Sequence, residues 1–242
     1  MKQKLYQGSS KALYQSQEDF AFIMSFTDKI TLENGEIFDI SGKGVLNNNI
    51  SSFIMSKLDM VGIENHLIEK MNMREQLIQS VDIFPIQVSV STVACGRFVK
   101  EFSMEEGYVF DHPVIDFRVR SRELKNPIIN EHQILNFGWL NKQEIDEVKH
   151  QTIRIHDFLS GLFAGIGIRL VECKLEFGRV FNGEDFMVML ADEISPDNCR
   201  LWNMSNNEKL GAEMIATDPE RAIKSYQAIA DLLRDRTYTQ II

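Results

Sequence analysis

Cysteine is scarce in this chain, and the few cysteines form no metal-binding pattern. Of 242 residues only three are cysteines, Cys95, Cys173 and Cys199, and no two of them stand in a CxxC pair. An odd and irregularly spaced set argues against a disulfide framework and against a structural zinc site. We therefore expect three reduced and buried thiols.

Long apolar runs are also absent. No stretch approaches the roughly 20 apolar residues that a membrane-spanning helix requires. The opening MKQKLYQGSSK has no apolar run behind its lysines, so no signal peptide is predicted. The default expectation is a cytoplasmic protein without a membrane partner.

Positive charge is in short supply. The chain has 26 lysines and arginines against 35 aspartates and glutamates, which gives a net charge of −9. A general nucleic-acid-binding surface normally shows a basic excess, so nucleic acid is not an expected partner. The basic run Arg118-Val119-Arg120-Ser121-Arg122 could attract an anionic substrate, but a solvated strand or loop is the favoured interpretation. An acidic protein can still bind a nucleotide, because a few local cations or a bound metal outweigh the mean charge.

Several catalytic motifs are missing as well. The five histidines stand in no HExxH or other metal spacing, and no GxSxG motif includes Ser9 or Ser10. The run Gly8-Ser9-Ser10-Lys11 lacks the glycine spacing of a Walker loop. Neither nucleophilic hydrolase chemistry nor a Walker loop is therefore supported.

The order of the elements indicates an α+β fold. Short β-prone runs fill the first third, with Gly8-Ser9-Ser10 as a hairpin loop and Asn34-Gly35 as a turn. Apolar periodicity predicts helices over residues 48–61, 143–166 and from Asp218-Pro219 onward, and strands over 79–93, 168–177 and 186–191. Pro85 argues that the strand over 79–93 is an edge or a connecting crossover. A β-rich start followed by mixed elements is typical of an α+β fold.

The most informative stretch for chemistry runs from Val171 to Trp202. Glu172, Lys174 and Glu176 alternate there, so on a strand they share one face. Asp192 and Glu193 end the next strand across a turn, and facing carboxylates of this kind form a hard oxygen site that suits Mg²⁺. A solvated strand face with a Lys–Glu pair explains the local pattern equally well.

A loop with an acid and a cation follows directly. Ser195-Pro196-Asp197 is rich in turn formers, and Arg200 comes three residues after Asp197. Arginine can bind a carboxylate or phosphate through two parallel hydrogen bonds. The alternative is an Asp–Arg pair that only braces the turn.

These residues carry a resemblance to a known family. KLEFG and ADEISPDNCRLW closely resemble the two best-defined motifs of the SAICAR synthetase family. Six earlier segments stand in the family's order, so the resemblance covers nearly the whole chain. These segments are LYQGSSKALY, GKGVLNN, NMREQLI, FPIQVSV, ACGRFVK and FGW.

The resemblance implies a two-lobed α+β fold with ATP in the cleft between the lobes. The N-terminal lobe would be residues 1–84 and the larger mixed lobe residues 85–242. ATP would phosphorylate the carboxylate of carboxy-aminoimidazole ribotide (CAIR), and the amine of L-aspartate would then displace the phosphate. The implied ligands are ATP, CAIR, L-aspartate and Mg²⁺, and the implied assembly is a homo-oligomer.

The resemblance also implies roles for individual residues. Gly8 and Lys11 would cover the nucleotide, with Lys11 on the ATP phosphates, and Ile83, Phe84 and Pro85 would form the adenine hinge. Glu176 and Asp192 would hold Mg²⁺, with Lys174 beside them in the catalytic group. The substrate-binding residues would be Glu172, Asp197, Arg200 and Arg97.

Several polar positions depart from the family's pattern. Ser9 stands where a second lysine is expected, and Gln87 and Ser91 stand where a glutamate and an arginine are expected. Other departures include Thr92, Arg97 and Asn203. Ser91 removes a charge-assisted phosphate contact, and Arg97 is the nearby candidate to restore a cation. The sequence thus leaves open a divergent paralogue that binds nucleotide but is inactive or uses another carboxylate.

Overall fold

The computed structural model describes residues 3–32, 34–121 and 123–239. Its contacts divide the chain into two compact units. The first holds the described residues of Met1–Ser80, Glu193–Asp197 and Lys209–Ile242, and the second holds Val81–Asp192 and Asn198–Glu208. These units differ from the expected lobes 1–84 and 85–242. The division falls four residues earlier, and two later segments belong to the first unit.

The elements are named in chain order. The strands are β1 (Lys4–Gln7), β2 (Lys11–Gln15), β3 (Ala21–Phe26), β4 (Lys29–Thr31), β5 (Ile37–Asp39), β6 (Leu67–Lys70), β7 (Glu75–Gln79), β8 (Asp82–Val93), β9 (Val109–Val119), β10 (Ile128–Ile129), β11 (Ile168–Phe181), β12 (Phe186–Ala191), β13 (Cys199–Asn203) and β14 (Lys209–Leu210). The helices are α1 (Lys43–Met60), α2 (Arg97–Phe102), α3 (Glu131–Asn136), α4 (Lys142–Ala164), the short 3₁₀ helix Gly211–Met214 and α5 (Pro219–Thr239).

The first unit contains an antiparallel sheet in the order β1-β2-β3-β7-β6 and the hairpin β4-β5. The predicted hairpin at Gly8-Ser9-Ser10 is confirmed, and the Gly8 amide donates to the Lys11 carbonyl at 2.8 Å. Helix α5 also begins where the Asp218-Pro219 signal placed it. Helices α1 and α5 contact each other, which explains why α5 groups with the N-terminal residues.

Helix α1 begins five residues before the predicted start at residue 48. Its apolar stripe includes the buried Ile50, Ile54 and Leu58, as the periodicity indicated. Its first turns, however, bury the polar side chains of Lys43 and Asn47, which are fully buried. Hydrophobic periodicity cannot detect a helix whose buried face is polar.

The second unit is built around β11, the longest strand of the described chain. The sheet order is β10-β9-β8-β11-β13, and β12 also pairs with β11 beyond β13. Helix α4 packs on this sheet through Ile145, Val148, Ile155, Leu159 and Phe163, all of which are buried. The predicted apolar face of this helix and the α+β class are therefore confirmed.

The expectation for Pro85 is wrong. Strand β8 is neither an edge nor a crossover, because it pairs with β9 on one side and β11 on the other. The register shifts where Ile83 to Gln87 oppose Glu176 to Gly178. Pro85 lies in this irregular stretch, where a residue without an N–H is tolerated.

The expectation for the cysteines is confirmed. Cys95, Cys173 and Cys199 are free and buried. Cys173 and Cys199 oppose each other on β11 and β13, with their sulfur atoms 3.5 Å apart. Within the described residues, no helix has both the length and the apolar character that a membrane crossing requires.

The close approach at Gly178 generates a stability prediction. A Cβ added there would lie 2.4 Å from the Asp82 carbonyl oxygen and 2.6 Å from a Val81 methyl group. We expect Gly178→Ala to reduce the free energy of unfolding by about 1–3 kcal/mol, because the backbone of β8 must move away. Urea denaturation measures the change.

The matched control is Gly161→Ala. Gly161 lies inside α4 and has nothing within 4 Å of an added Cβ. This change should leave the protein equally stable or more stable by up to about 1 kcal/mol, since alanine favours the helix. Equal stability of the two variants would contradict the packing argument.

Candidate active site

A polar face runs across the sheet of the second unit. The predicted alternation on β11 is observed, with Glu172, Lys174 and Glu176 set between the buried Val171, Cys173 and Leu175. Cross-strand register extends the polar face in rows. The rows are Ser91–Glu172–Arg200, Ser89–Lys174 and Gln87–Glu176.

Glu176 is the most enclosed carboxylate of this face. Its side chain is 10% exposed, and its Oε2 lies 2.8 Å from Arg120 Nε. Gln87 donates to its Oε1 at 3.4 Å. Arg120 comes from the basic run that was interpreted as a solvated strand or loop, and Arg122 of that run lies outside the described residues.

Asp192 lies at the end of β12, the strand that pairs with the Glu176 end of β11. It directly follows Ala191, the residue that pairs with Glu176 across β12 and β11. Its backbone is left-handed, with φ of 65°. An aspartate tolerates this conformation better than most residues. Strand pairing therefore brings the backbones of the two predicted metal ligands to neighbouring positions.

The donor chemistry of these carboxylates fits Mg²⁺, which prefers oxygen ligands and commonly shares its shell with phosphate and water. Over residues 3–32, 34–121 and 123–239, no group of three or more His, Cys, Asp or Glu side chains converges as a ready-made metal site. Two carboxylates would leave most of an octahedral shell to oxygens of a ligand and of water.

Glu172 and Arg200 form a second ion pair on the polar face. Arg200 Nε lies 2.7 Å from Glu172 Oε2 across β11 and β13. Ser91, in the same row, is buried, and its hydroxyl has no hydrogen-bond partner among the described residues. A Cβ at Gly96 would lie 3.2 Å from the guanidinium of Arg200, and its φ of 51° also favours glycine.

Arg97 is already neutralised by carboxylates. Its guanidinium pairs with Asp116 and lies 3.7 Å from Glu101. It also stacks over the rings of Phe98 and Phe102, at 4.5 and 5.4 Å from the centroids. Substrate binding by Arg97 stays a prediction, and the structure shows that a ligand would have to compete with these partners.

The predicted adenine hinge lies at the irregular start of β8. Phe84 is buried, whereas Pro85 is exposed. The guanidinium of Arg179 lies 5.0 Å above the Phe84 ring and is fixed by Glu144. That ion pair lowers the pKa of Glu144, the hydrogen bond from Arg179 being the largest cause.

In the first unit, Lys11 is held by Glu193, which the sequence grouped with Asp192 as a candidate carboxylate of a Mg²⁺ site. Lys11 Nζ lies 2.8 Å from Glu193 Oε1, and the Glu193 side chain is only 2% exposed. Ser10 and Ser195 donate to Glu193 at 3.3 and 2.6 Å. Gly8 lies in the hairpin loop that leads into Lys11.

Asp197 is locked in place within the same unit. Lys43 Nζ donates to its Oδ2 at 2.6 Å, and Tyr226 donates to its Oδ1 at 2.7 Å. The Asp197 amide donates to Ser195 Oγ at 3.1 Å. Lys43 is fully buried and the Asp197 side chain is only 7% exposed, so water has little access to this pair. Sequence reasoning assigned no site role to Lys43 or Tyr226, because no local pattern shows that either residue will meet Asp197.

Burial and charge act together on Tyr226. Desolvation raises the pKa of its hydroxyl well above its ordinary value, and the neighbouring Asp197 carboxylate adds to the effect. The hydroxyl therefore stays protonated and donates to Asp197 at every ordinary pH.

A model of the family described as SAICAR synthetase matches residues 4–232. The phosphoribosylaminoimidazole-succinocarboxamide synthase of Rickettsia bellii is 69% identical over 236 residues, which is 98% of this chain and 100% of that protein.

Solved structures of similar proteins support the same family relationship. The phosphoribosylaminoimidazole-succinocarboxamide synthase of Ehrlichia chaffeensis is 40% identical with a TM-score of 0.92, covering 96% of this chain and 98% of that one. A SAICAR synthetase in complex with ADP is 30% identical with a TM-score of 0.88, covering 94% and 96%. The resemblance inferred from the motifs is thereby confirmed.

The buried tyrosine gives a pH-dependent prediction. At neutral pH we expect Tyr226→Phe to lower the free energy of unfolding by about 1.5–3 kcal/mol, because a hydrogen bond to a charged group is lost. Above the ordinary tyrosine pKa of 10.0, the unfolded parent ionises while its folded form keeps the proton. The parent therefore loses stability as pH rises toward the folded pKa, whereas the phenylalanine variant has no such group.

The measurement is urea denaturation of both proteins from pH 7 to pH 11. The stability difference should be constant below the unfolded pKa and should shrink above it. A difference that stays constant or grows at alkaline pH would contradict the raised pKa.

Proposed function

The chain belongs to the SAICAR synthetase family, and from that premise we propose that it joins L-aspartate to the carboxylate of CAIR with consumption of ATP. It is a ligase of purine biosynthesis. The observation that carries the assignment is the 69% identity to a named synthase over that protein's whole length. The alternative of an inactive paralogue is not supported by this relationship. We place the reaction in the cytoplasm, and self-association remains an inference from the resemblance.

The chemistry requires activation of a poor electrophile. A free carboxylate resists attack by an amine, so its oxygen first attacks the terminal phosphorus of ATP and ADP leaves. The amine of aspartate then attacks the carbonyl carbon of the acyl phosphate, loses a proton and expels phosphate. The protein contributes by aligning the reactants and by neutralising negative charge.

We assign the cation and the adenine to residues of the second unit. Glu176 and Asp192 would hold Mg²⁺, which would screen the charge of the transferring phosphoryl group. Lys174 lies between Glu172 and Glu176 on the same polar face, where its ammonium group would neutralise developing charge. Ile83, Phe84 and Pro85 would contact the adenine, because the irregular backbone there leaves groups outside the sheet ladder.

We assign Lys11 and Gly8 of the first unit to the ATP phosphates. Lys11 is the cation of a glycine-containing hairpin, and its present partner is Glu193. Phosphate would compete with Glu193 for the ammonium group. Because Ser10 and Ser195 also donate to Glu193, this carboxylate keeps hydrogen bonds when Lys11 turns to a ligand.

The substrate-binding assignment rests on Arg200 and Glu172 of the polar face and on Arg97 of α2. Arg200 is oriented by Glu172, and its guanidinium lies against Gly96. Arg200 is therefore the best-placed guanidinium for an anionic group of CAIR. Asp197 has both carboxylate oxygens occupied by Lys43 and Tyr226. Its proposed contribution to substrate binding therefore includes fixing the loop of residues 193–197.

Three of the divergent positions, Gln87, Thr92 and Asn203, have local hydrogen-bond partners that fit an active enzyme. Thr92 donates to the Leu170 carbonyl at 2.9 Å, and Gln87 donates to Glu176. Asn203 accepts from Ser205 in the turn after β13. Ser9 is half-buried in the hairpin loop. Ser91 alone of these, with its buried hydroxyl lacking a partner in the described chain, would gain a hydrogen bond from a ligand.

The proposed function predicts a strict requirement for three substrates. Purified protein should release ADP only when CAIR, L-aspartate and Mg·ATP are present together, and SAICAR should accumulate in equal amount. A coupled ADP assay with chromatographic detection of SAICAR measures both. Absence of turnover in a protein that binds ATP would overturn the assignment.

The metal assignment has its own test. Asp192→Asn removes one negative charge from the proposed pair of metal ligands, so we expect Mg·ATP to bind more weakly by on the order of tenfold. Calorimetry measures the affinity, and Asp185→Asn, an exposed position in the β11–β12 turn, is the matched control. An unchanged affinity for Asp192→Asn would remove Asp192 from the proposed site.

A further inference from the structure

Arg120 occupies an unusual position beside the proposed metal carboxylate. It follows β9 directly, and its amide donates to the Pro85 carbonyl at 2.9 Å, which fixes its backbone next to the proposed adenine hinge. Its side chain is 41% exposed, yet its Nε lies 2.8 Å from the enclosed Glu176. One end of this residue is therefore anchored while its charged end has room to move.

Both oxygens of Glu176 are engaged by neighbouring side chains. Arg120 contacts Oε2 and Gln87 contacts Oε1. An enclosed carboxylate needs a counter-charge, and the guanidinium supplies it. A divalent cation that binds the same carboxylate supplies more charge, and it repels a guanidinium a few ångströms away. Arg120 and the cation are therefore alternative partners of Glu176.

An arginine released from Glu176 beside a nucleotide has an obvious new partner. The proposed cation arrives with phosphate oxygens, and a guanidinium binds phosphate through parallel hydrogen bonds. We propose that Arg120 neutralises Glu176 in the ligand-free protein and exchanges it for the phosphate oxygens of the nucleotide when the divalent cation binds. This inference rests on the proposed ATP-dependent function and adds a phosphate-binding residue to it.

Arg118 provides a matched comparison. It precedes Arg120 by two residues at the end of β9, and it carries the same charge. Its guanidinium donates to the Asn126 carbonyl at 3.1 Å, which is a neutral partner. Arg118→Gln therefore reproduces the change in net charge without removing the cation that contacts Glu176.

The experiment measures binding without turnover, in the absence of CAIR and aspartate. Mn²⁺ alone is titrated by electron paramagnetic resonance, and Mg·ATP and AMP are titrated by calorimetry. For Arg120→Gln we expect tighter binding of Mn²⁺, because its competitor is gone, and weaker binding of Mg·ATP by about tenfold or more. AMP should bind as in the parent, because it lacks the terminal phosphates. Arg118→Gln should leave all three affinities near those of the parent.

Arg120→Lys distinguishes the effect of charge from the effect of guanidinium geometry. The same variant tests the proposal if Arg120→Gln fails to fold. Lysine keeps the counter-charge but cannot form parallel hydrogen bonds, so Mn²⁺ should bind as in the parent while Mg·ATP binds more weakly. Unchanged or weaker Mn²⁺ binding in Arg120→Gln would overturn the competition. Parent-like Mg·ATP affinity in both variants would overturn the phosphate contact. Either result can occur whether or not the three-substrate reaction proceeds, so the two proposals fail separately.

Discussion

The pairing register of β11 is the constraint on which the second unit depends. Successive side chains of a strand point to opposite faces, so a slip of one residue would exchange the core and polar faces. Pairing with β8, β12 and β13 fixes the strand along its length. Val171, Cys173 and Leu175 are thereby buried, and Glu172, Lys174 and Glu176 share the opposite face. The same register pairs Glu176 with Ala191, and the left-handed Asp192 follows directly, so one strand alignment sets the core face and the backbone positions of both proposed metal ligands.

Charge balance is the second constraint, because the polar residues are largely enclosed. Glu172 pairs with Arg200, Glu176 with Arg120, Glu193 with Lys11 and Asp197 with Lys43. Removing one partner of such a pair leaves a poorly solvated charge, which is costly. Two kinds of pair can be distinguished by exposure. Lys43–Asp197 is largely shielded from water and reinforced by Tyr226, which suits a permanent support. Arg120 is substantially exposed, which suits a partner that exchanges.

Periodicity predicted the elements whose buried face is apolar. The apolar face of α4, the start of α5 and the β11–β12 hairpin were all available from spacing and turn residues. The start of α1 was missed because Lys43 and Asn47 are buried polar residues, and Pro85 was misjudged because a register shift inside the sheet accommodates it. The ion pairs could not be predicted from the sequence, for a different reason. Lys43 and Asp197 are 154 residues apart, and no local pattern reports which distant carboxylate a lysine will meet. Recognition of motifs supplied candidate residues, but only the fold showed which of their charges are already neutralised.

The existing ion pairs Lys11–Glu193 and Arg120–Glu176 affect how ligands would bind. A nucleotide that takes Lys11 from Glu193, or a cation that takes Glu176 from Arg120, must first break an existing interaction, so each binds more weakly than it would to an unpaired group. When the cation releases Arg120, however, a guanidinium becomes available to phosphate, and phosphate bound to Arg120 in turn prevents that guanidinium from returning to Glu176. Each ligand then favours the other by the same free energy, as linkage requires. In the ligand-free state the same pairs keep an enclosed set of charges neutral. A site of this design would bind the cation and the nucleotide together in preference to either one alone, and that selectivity follows from the position of Arg120 rather than from any additional metal ligand.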